Sequence, residues 1–289
     1  MDRKPQAGNA NPPLPIGHHY RDRNWLERWT RSMRFTGAPA WVRAPLKGAY
    51  ETALRTLAGD RLSCRLPDGE TVLVDLSFRH LTWNAEEYAA LKACTRPGAT
   101  VLDLGANVGA YTLLLAQWVG AGGHVYAFEP ASASRAGLER LVSINGVADR
   151  VTIRPDAASS RSGVCRFIQR GIDGGNRIAH ASDTDTVEVP ATTVDEFCGA
   201  FRVTPDVIKI DVEGAELEAL RGARRTIAGR GASLALFVEL HPSAWLTLGI
   251  SRTDIEDELR TQRLAVEPLV PARDPWSTEG IAVRLRYIG

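Results

Sequence analysis

The stretch VLDLGANVGAY, Val101 to Tyr111, decides the fold. An apolar run ending at Leu104 reads as a buried strand. Two glycines four apart follow it, Gly105 and Gly109. Gly105 takes a backbone angle closed to other residues, and Gly109 lets the next helix start against the strand. Asn107 stands between them. Asn tolerates a left-handed backbone, and its side-chain amide offers both donor and acceptor. In open α/β sheets ligands bind just beyond such a turn, where helix N-terminal amides also point.

The next strand, HVYAFEP, ends at Glu129, 24 residues after Gly105. A carboxylate there accepts hydrogen bonds from both hydroxyls of a ribose. Glycine turn and acidic strand end together point to an adenosine-containing cofactor. Nicotinamide dinucleotides and S-adenosylmethionine both meet that description. The pyrophosphate fingerprint G-x-G-x-x-G is not present. The row Gly105-Ala106-Asn107-Val108-Gly109-Ala110 lacks its middle glycine, and its last comes one residue early. Asp103, two residues before the turn, suits a cofactor with an ammonium to hold, which favours S-adenosylmethionine. Asp156, after the third strand, is placed to accept from the adenine amino group. The candidate cofactor residues are Asp103, Gly105, Ala106, Asn107, Gly109, Glu129 and Asp156.

Working outward, strand-like runs recur at 100–104, 124–128, 151–154, 207–210 and 234–240. Helical patterns fill the gaps near 110–119, 132–144 and 215–228. This alternation predicts a doubly wound, mostly parallel sheet with helices on both faces. LAVEPLV and IAVRLRYIG follow with no helix between them and read as an antiparallel pair at the sheet edge. Upstream, RLSCRLPDGETVLVDL is a hairpin signal around Pro67-Asp68-Gly69, and NAEEYAALKAC is a helix capped by Asn84. Tyr88 and Lys92 on that helix form a Y-x-x-x-K pair, as in short-chain dehydrogenases, but they precede the glycine turn instead of following it. Residues 1–20 read as a disordered tail, and 21–83 as an extension of helices and a hairpin for acceptor or oligomer contacts. Residues 84–289 are the catalytic domain.

Within the extension, Trp25, Leu26, Trp29 and Met33 share a helical face, and residues 1–60 hold ten Lys and Arg against five Asp and Glu. Such a helix either lies on a membrane surface or packs its tryptophans on the main domain; packing is the reading adopted. The formal net charge of +1 leaves no global field to hold a nucleic acid. No apolar run approaches the roughly 20 residues a membrane span needs. Cys64, Cys94, Cys165 and Cys198 show no short metal or redox spacing, so a reduced, cytoplasmic protein is expected.

With VIKIDVEGAELEALRGA, Val207 to Ala223, the chain resembles the FkbM family of S-adenosylmethionine-dependent methyltransferases. RPGATVLDLGANVGAYTLLLA, GGHVYAFEPASAS, NGVADRVTIRPDAA and LALFVELHP support this, from about Asn84 to about Pro242. The resemblance implies a seven-stranded class I methyltransferase sheet of Rossmann type with an antiparallel last strand. It also implies methyl transfer, mostly to hydroxyl oxygens of sugars, glycolipids and other natural products.

An alcohol is a poor nucleophile, so a general base or a metal should help remove its proton. Lys209 and Asp211 share one face of the fourth strand, and Glu239 and His241 one face of the fifth. Glu213 follows in the turn before Gly214, where the next helix begins, and Glu213 and Glu216 suit a helix N-terminus electrostatically. The expected catalytic residues are Asp211, His241, Glu239 and Lys209. Asp211, Glu239 and His241 also make a fair Mg²⁺ or Mn²⁺ set. The reading adopted is metal-free, with His241 or Asp211 as base and the segment around His80 and Glu86 as the fallback. Two competing readings stand beside it: a nicotinamide-dependent oxidoreductase, and a non-catalytic S-adenosylmethionine-binding module.

Overall fold

The computed structural model describes residues 61–289 except 80, 172–174, 181–182, 272 and 277–279, together with residues 19, 20, 52 and 56. From residue 61 the described elements begin with a hairpin of β1 (Arg61–Arg65) and β2 (Thr71–Asp75), then α1 (Ala85–Cys94). Next come β3 (Thr100–Leu104), α2 (Ala110–Val119), β4 (His124–Phe128), α3 (Ser132–Ile144) and β5 (Val151–Arg154). Four short strands follow: β6 (Ala157–Ala158), β7 (Gly163–Ile168), β8 (Arg177–Ile178) and β9 (Val187–Thr192). The second half runs α4 (Val194–Phe201), β10 (Val207–Ile210), α5 (Glu216–Arg221), α6 (Arg224–Arg230) and β11 (Ala235–Leu240). It closes with α7 (Pro242–Thr247), α8 (Arg252–Thr261), β12 (Leu264–Pro268) and β13 (Ile281–Tyr287).

Seven strands form the central sheet in the order β12-β13-β11-β10-β3-β4-β5. All are parallel except β13, which runs against both neighbours. The fold is the class I methyltransferase type expected from the sequence. The edge pair forms as predicted, with the last strand inside and β12 outside. Every residue of β10 is buried, as a central parallel strand covered on both faces requires. On one face the hairpin, α1, α2 and α3 pack through Val72, Leu91, Leu114 and Leu138. On the other, α4 to α8 pack through Phe197, Leu220, Ile227, Trp245 and Ile255. Strand order reverses between β3 and β10, and a crevice opens there beyond the strand tips.

Local chemistry sets the element ends. The Asn84 side chain accepts from the amides of Glu86 and Glu87, starting α1 where expected. The helix predicted over 215–228 divides in two. Asp195, from α4, accepts from the amides of Arg225 and Thr226 and so caps a fresh helix start. Tyr88 and Lys92 brace the hairpin: the Tyr88 hydroxyl donates to Glu70 Oε2 at 2.7 Å, and Lys92 pairs with Asp68 and Glu70. Burial alone would raise the Glu70 carboxyl, but donors from Lys92, Tyr88 and Trp118 outweigh it and hold it near 2, lowered to about 2.

The sequence reading has no counterpart for the four-stranded sheet β8-β7-β9-β6, which covers a small core of Ala131, Ala157, Phe167, Val189 and Ala191. Of the expected N-terminal tail, only His19–Tyr20 is described, paired antiparallel with Trp83–Asn84. The basic helix bearing Trp25 and Trp29, and His80, lie outside the described residues. Among the described residues no helix is long and apolar enough to cross a membrane.

Candidate active site

The glycine turn has the predicted backbone: Gly105, Asn107 and Gly109 have φ of 84°, 48° and 95°. The amides of Gly105 and Ala106 donate to the Phe128 carbonyl at 3.0 and 2.9 Å, tying the turn to β4. The Asn107 amide donates to Glu129 Oε2 (2.7 Å), and that of Ala131 to Oε1 (2.8 Å). Burial pushes the Glu129 carboxyl up to about 7, against the pull of those two amides.

Gly105, Asn107, Glu129 and Asp156 line one cavity, with apolar walls from Phe128, Phe167 and Ile178. The small sheet thus supplies part of the site, which the sequence did not disclose. Arg154 holds one oxygen of Asp156, Oδ2, at 2.9 Å. The side-chain oxygen of Asn107 and Oδ1 of Asp103 are buried without a hydrogen-bond partner among the described residues. Orphan acceptors of this kind call for a donor. Glu129, Asp156 and the Asn107 amide set beside Phe128, Phe167 and Ile178 suit a ligand with both a polar rim and a flat apolar face, such as a nucleoside. Asp103 itself is 1% exposed and accepts from the Thr112 hydroxyl at 2.6 Å. Asp103, Ala106 and Gly109 hold the turn and are not among the cavity-lining residues.

Asp103, Lys209 and Glu239 alternate with Val101, Phe237 and Val207 on the α1–α2 face of the sheet. Lys209, 2% exposed, is the cation of this layer. Its Nζ lies 2.9 Å from Asp211 Oδ2, 3.7 Å from Glu87 Oε1 and 4.9 Å from the centre of the Tyr111 ring. Desolvation opposes its charge, but Asp211, Glu87, Asp103 and Glu239 outweigh that and raise its pKa. Burial raises the Glu87 carboxyl against the pull of Lys209, and Tyr111 also bonds to Glu87.

Asp211 lines the cavity, and the carboxylates of Asp211, Glu213 and Glu239 surround His241. Behind the ring, the wholly buried Glu216 pairs with His241 Nδ1 at 3.0 Å and accepts from Trp245 Nε1 and the Gly214 amide. Glu216 is therefore the partner of His241, beyond the helix-end role expected for it; α5 begins at Glu216, two residues later than Gly214. Burial disfavours a charged His241, but Glu216, Asp211 and Glu239 outweigh it and push its pKa up to about 9. Burial, then the fields of Asp211 and Glu87, push Glu239 up to about 8. Burial also raises Asp211, but Lys209 and His241 prevail and hold it low.

Two of these groups were not assigned to the site from the sequence. Glu87 is indistinguishable from Glu86 in NAEEY until α1 packs on the sheet. Glu216 reads as an ordinary first-turn acid, although its place just after a strand-tip glycine is a usable clue.

The FkbM methyltransferase domain model matches residues 103–260, more than half of the chain. Among solved structures, methyltransferase FkbM from Methylobacillus flagellatus KT is 19% identical over 64% of this chain and 43% of its own, with a TM-score of 0.43. This chain thus spans less than half of that protein's length. An S-adenosylmethionine-dependent O-methyltransferase from Thermotoga maritima is 13% identical over 79% of this chain and 78% of its own (TM-score 0.41). An S-adenosylmethionine-dependent methyltransferase from Aquifex aeolicus is 17% identical over 74% and 94% (TM-score 0.39). No protein of curated function matches the sequence. With its sheet order, its glycine turn and a family match spanning both halves of the site, the chain belongs to the FkbM family of S-adenosylmethionine-dependent methyltransferases.

Proposed function

We propose that the protein transfers a methyl group to a hydroxyl oxygen of a sugar, a glycan or another hydroxylated natural product. The observation that carries this reading is the cluster of Asp211, Glu239 and His241 beside the cavity, reached through Asp211. S-adenosylmethionine supplies a methyl on a sulfonium, already activated for displacement. Asn107, Glu129 and Asp156 would hold its adenosine, with Gly105 allowing close approach. The chain's remaining task is to orient a hydroxyl and help it lose its proton. Carboxylates and an imidazole on two strand tips form a polar wall that suits hydroxyl groups. Lys209 fixes one oxygen of Asp211, and Glu216 fixes the imidazole. Residues 21–83 are proposed to complete the acceptor side.

The test is release of S-adenosylhomocysteine with a panel of sugars, glycolipid headgroups and polyketide alcohols, with amines and thiols as controls. The reading requires a hydroxylated acceptor to gain 14 mass units, one methylene, and Asp211→Asn to slow that turnover by about 10²-fold or more. Methylation confined to nitrogen or sulfur acceptors would overturn it.

A further inference from the structure

The geometry points to a divalent-cation site at Asp211 Oδ1, Glu239 Oε1 and His241 Nε2, of the oxygen-rich kind that takes Mn²⁺ or Mg²⁺. One ligand atom from each residue can be chosen so that all lie within 4.8 Å of one another. Asp211 and Glu239 are close enough to share a side-chain hydrogen bond, whereas the imidazole stands off from both. His241 Nε2 stands 3.9 Å from Asp211 Oδ1 and 3.9 Å from Glu239 Oε1, with Glu213 Oε2 at 3.8 Å. These are beyond hydrogen-bond length. Ligands about 2.1 Å from a shared ion sit about 3 Å apart when adjacent and about 4 Å when opposite, so a small inward turn of the carboxylates meets the requirement.

The far side of each ligand is already committed. Glu216 occupies Nδ1 of His241, so Nε2 is the ring nitrogen left to face the carboxylates, and an ion bound there displaces the Nε2 proton. A carboxylate behind a ligating imidazole is the usual outer support of a metal site. Lys209 occupies Oδ2 of Asp211, leaving Oδ1 toward His241. Charge leads the same way. Asp211, Glu87, Asp103 and Glu239 act on the ammonium of Lys209, and Glu216 acts with Asp211 and Glu239 on the imidazole of His241, so carboxylates outnumber the two cations beside the site. One nitrogen among hard oxygens favours Mn²⁺ over Mg²⁺.

The role of the ion rests on the proposed hydroxyl methylation, but its binding does not. A hydroxyl coordinated there has its pKa lowered, and its proton passes to water. This departs from the metal-free expectation drawn from the sequence, because strand spacing alone could not show that Nδ1 and Oδ2 were already taken.

The test is titration of Mn²⁺ into chelator-stripped full-length protein, followed by calorimetry and by loss of the free-ion paramagnetic resonance signal. One Mn²⁺ per chain at micromolar affinity is expected. Glu239→Gln and His241→Ala should each weaken it at least tenfold, and Glu216→Gln by about 10- to 100-fold. S-adenosylhomocysteine binding within twofold of the parent certifies that each variant is folded. Substituting Glu267, an exposed acid on β12, should change nothing. No binding by the parent protein up to millimolar Mn²⁺, or parental affinity in both Glu239→Gln and His241→Ala, overturns the site. Hydroxyl methylation that proceeds unchanged in EDTA overturns the ion's part in it while leaving the methyltransferase reading intact. Mn²⁺ bound by these residues with only nitrogen or sulfur acceptors methylated sinks the hydroxyl reading and keeps the site.

Discussion

Gly105 and Asp211 are packed so closely that a Cβ on Gly105 would lie 1.8 Å from the Asp211 carbonyl oxygen. The cofactor turn and the tip of β10 are thus one rigid unit. Gly98 has nearly the same φ, 83° against 84°, with nothing within 4 Å of its missing Cβ. Comparing Gly98→Ala with Gly105→Ala separates backbone strain from collision. The first should cost about 1–2 kcal/mol, the strain of a left-handed L-residue. The second should cost several kcal/mol and lose S-adenosylhomocysteine binding, since the obstacle is backbone. Denaturant unfolding with calorimetry decides it; equal costs would place the strain in φ alone.

Glu129 gives the cofactor site a pH dependence. Its folded pKa of about 7 exceeds the ordinary glutamate value of 4.5. The sign follows: this group's contribution to stability is fully present below about 4.5 and is lost as pH rises through about 7. Binding should run the other way, because ribose hydroxyls donate to the ionised carboxylate. S-adenosylhomocysteine affinity is expected to rise severalfold from pH 6 to pH 8. Glu129→Gln should flatten that profile and weaken binding at pH 8 by about tenfold or more. A profile of the same slope in the variant would remove Glu129 from the ribose.

Lys209 and Glu87 form a buried pair that a double-mutant cycle can weigh. Lys209→Met leaves several carboxylates without a counter-charge and should cost about 3–5 kcal/mol. Adding Glu87→Gln should recover at least about 1 kcal/mol of that loss. Strict additivity in urea unfolding would mean that the 3.7 Å approach carries no coupling.

One side-chain amide ties the second strand of the hairpin to the end of α3. Asn145, which follows α3, accepts from the Leu73 amide at 2.8 Å and donates to the Leu73 carbonyl at 2.7 Å. Asn145→Ala leaves both groups of β2 without these partners and should destabilise by about 2 kcal/mol or more. Amide exchange at residues 71–75 should quicken more than at β10; uniform protection in both would rule out a local role.

Central parallel strands such as Val207–Ile210 are readable because burial on both faces demands an unbroken apolar run. The glycine turn is readable because few residues tolerate positive φ. The sheet of β6 to β9 is not, because β6 and β8 are two residues long and Val164 and Val187 lie exposed. The four strand-tip residues were found from alternation within a strand. What stands behind them, Glu87 on α1 and Glu216 on α5, comes from other elements, and the burial that singles out each acid arises only on packing.

The inside position of β13 also fixes an order of events in folding. β12 comes first along the chain, yet its only ladder to the central sheet is through β13, by pairs such as Val266 with Leu285. It therefore has no template until β13 is present. The two strands either close on each other and dock as a unit, or β13 adds to β11 and β12 follows. In pulse-labelled hydrogen exchange during refolding, the amides of Leu264, Ala265, Val266 and Glu267 should never gain protection before those of Ile281–Tyr287.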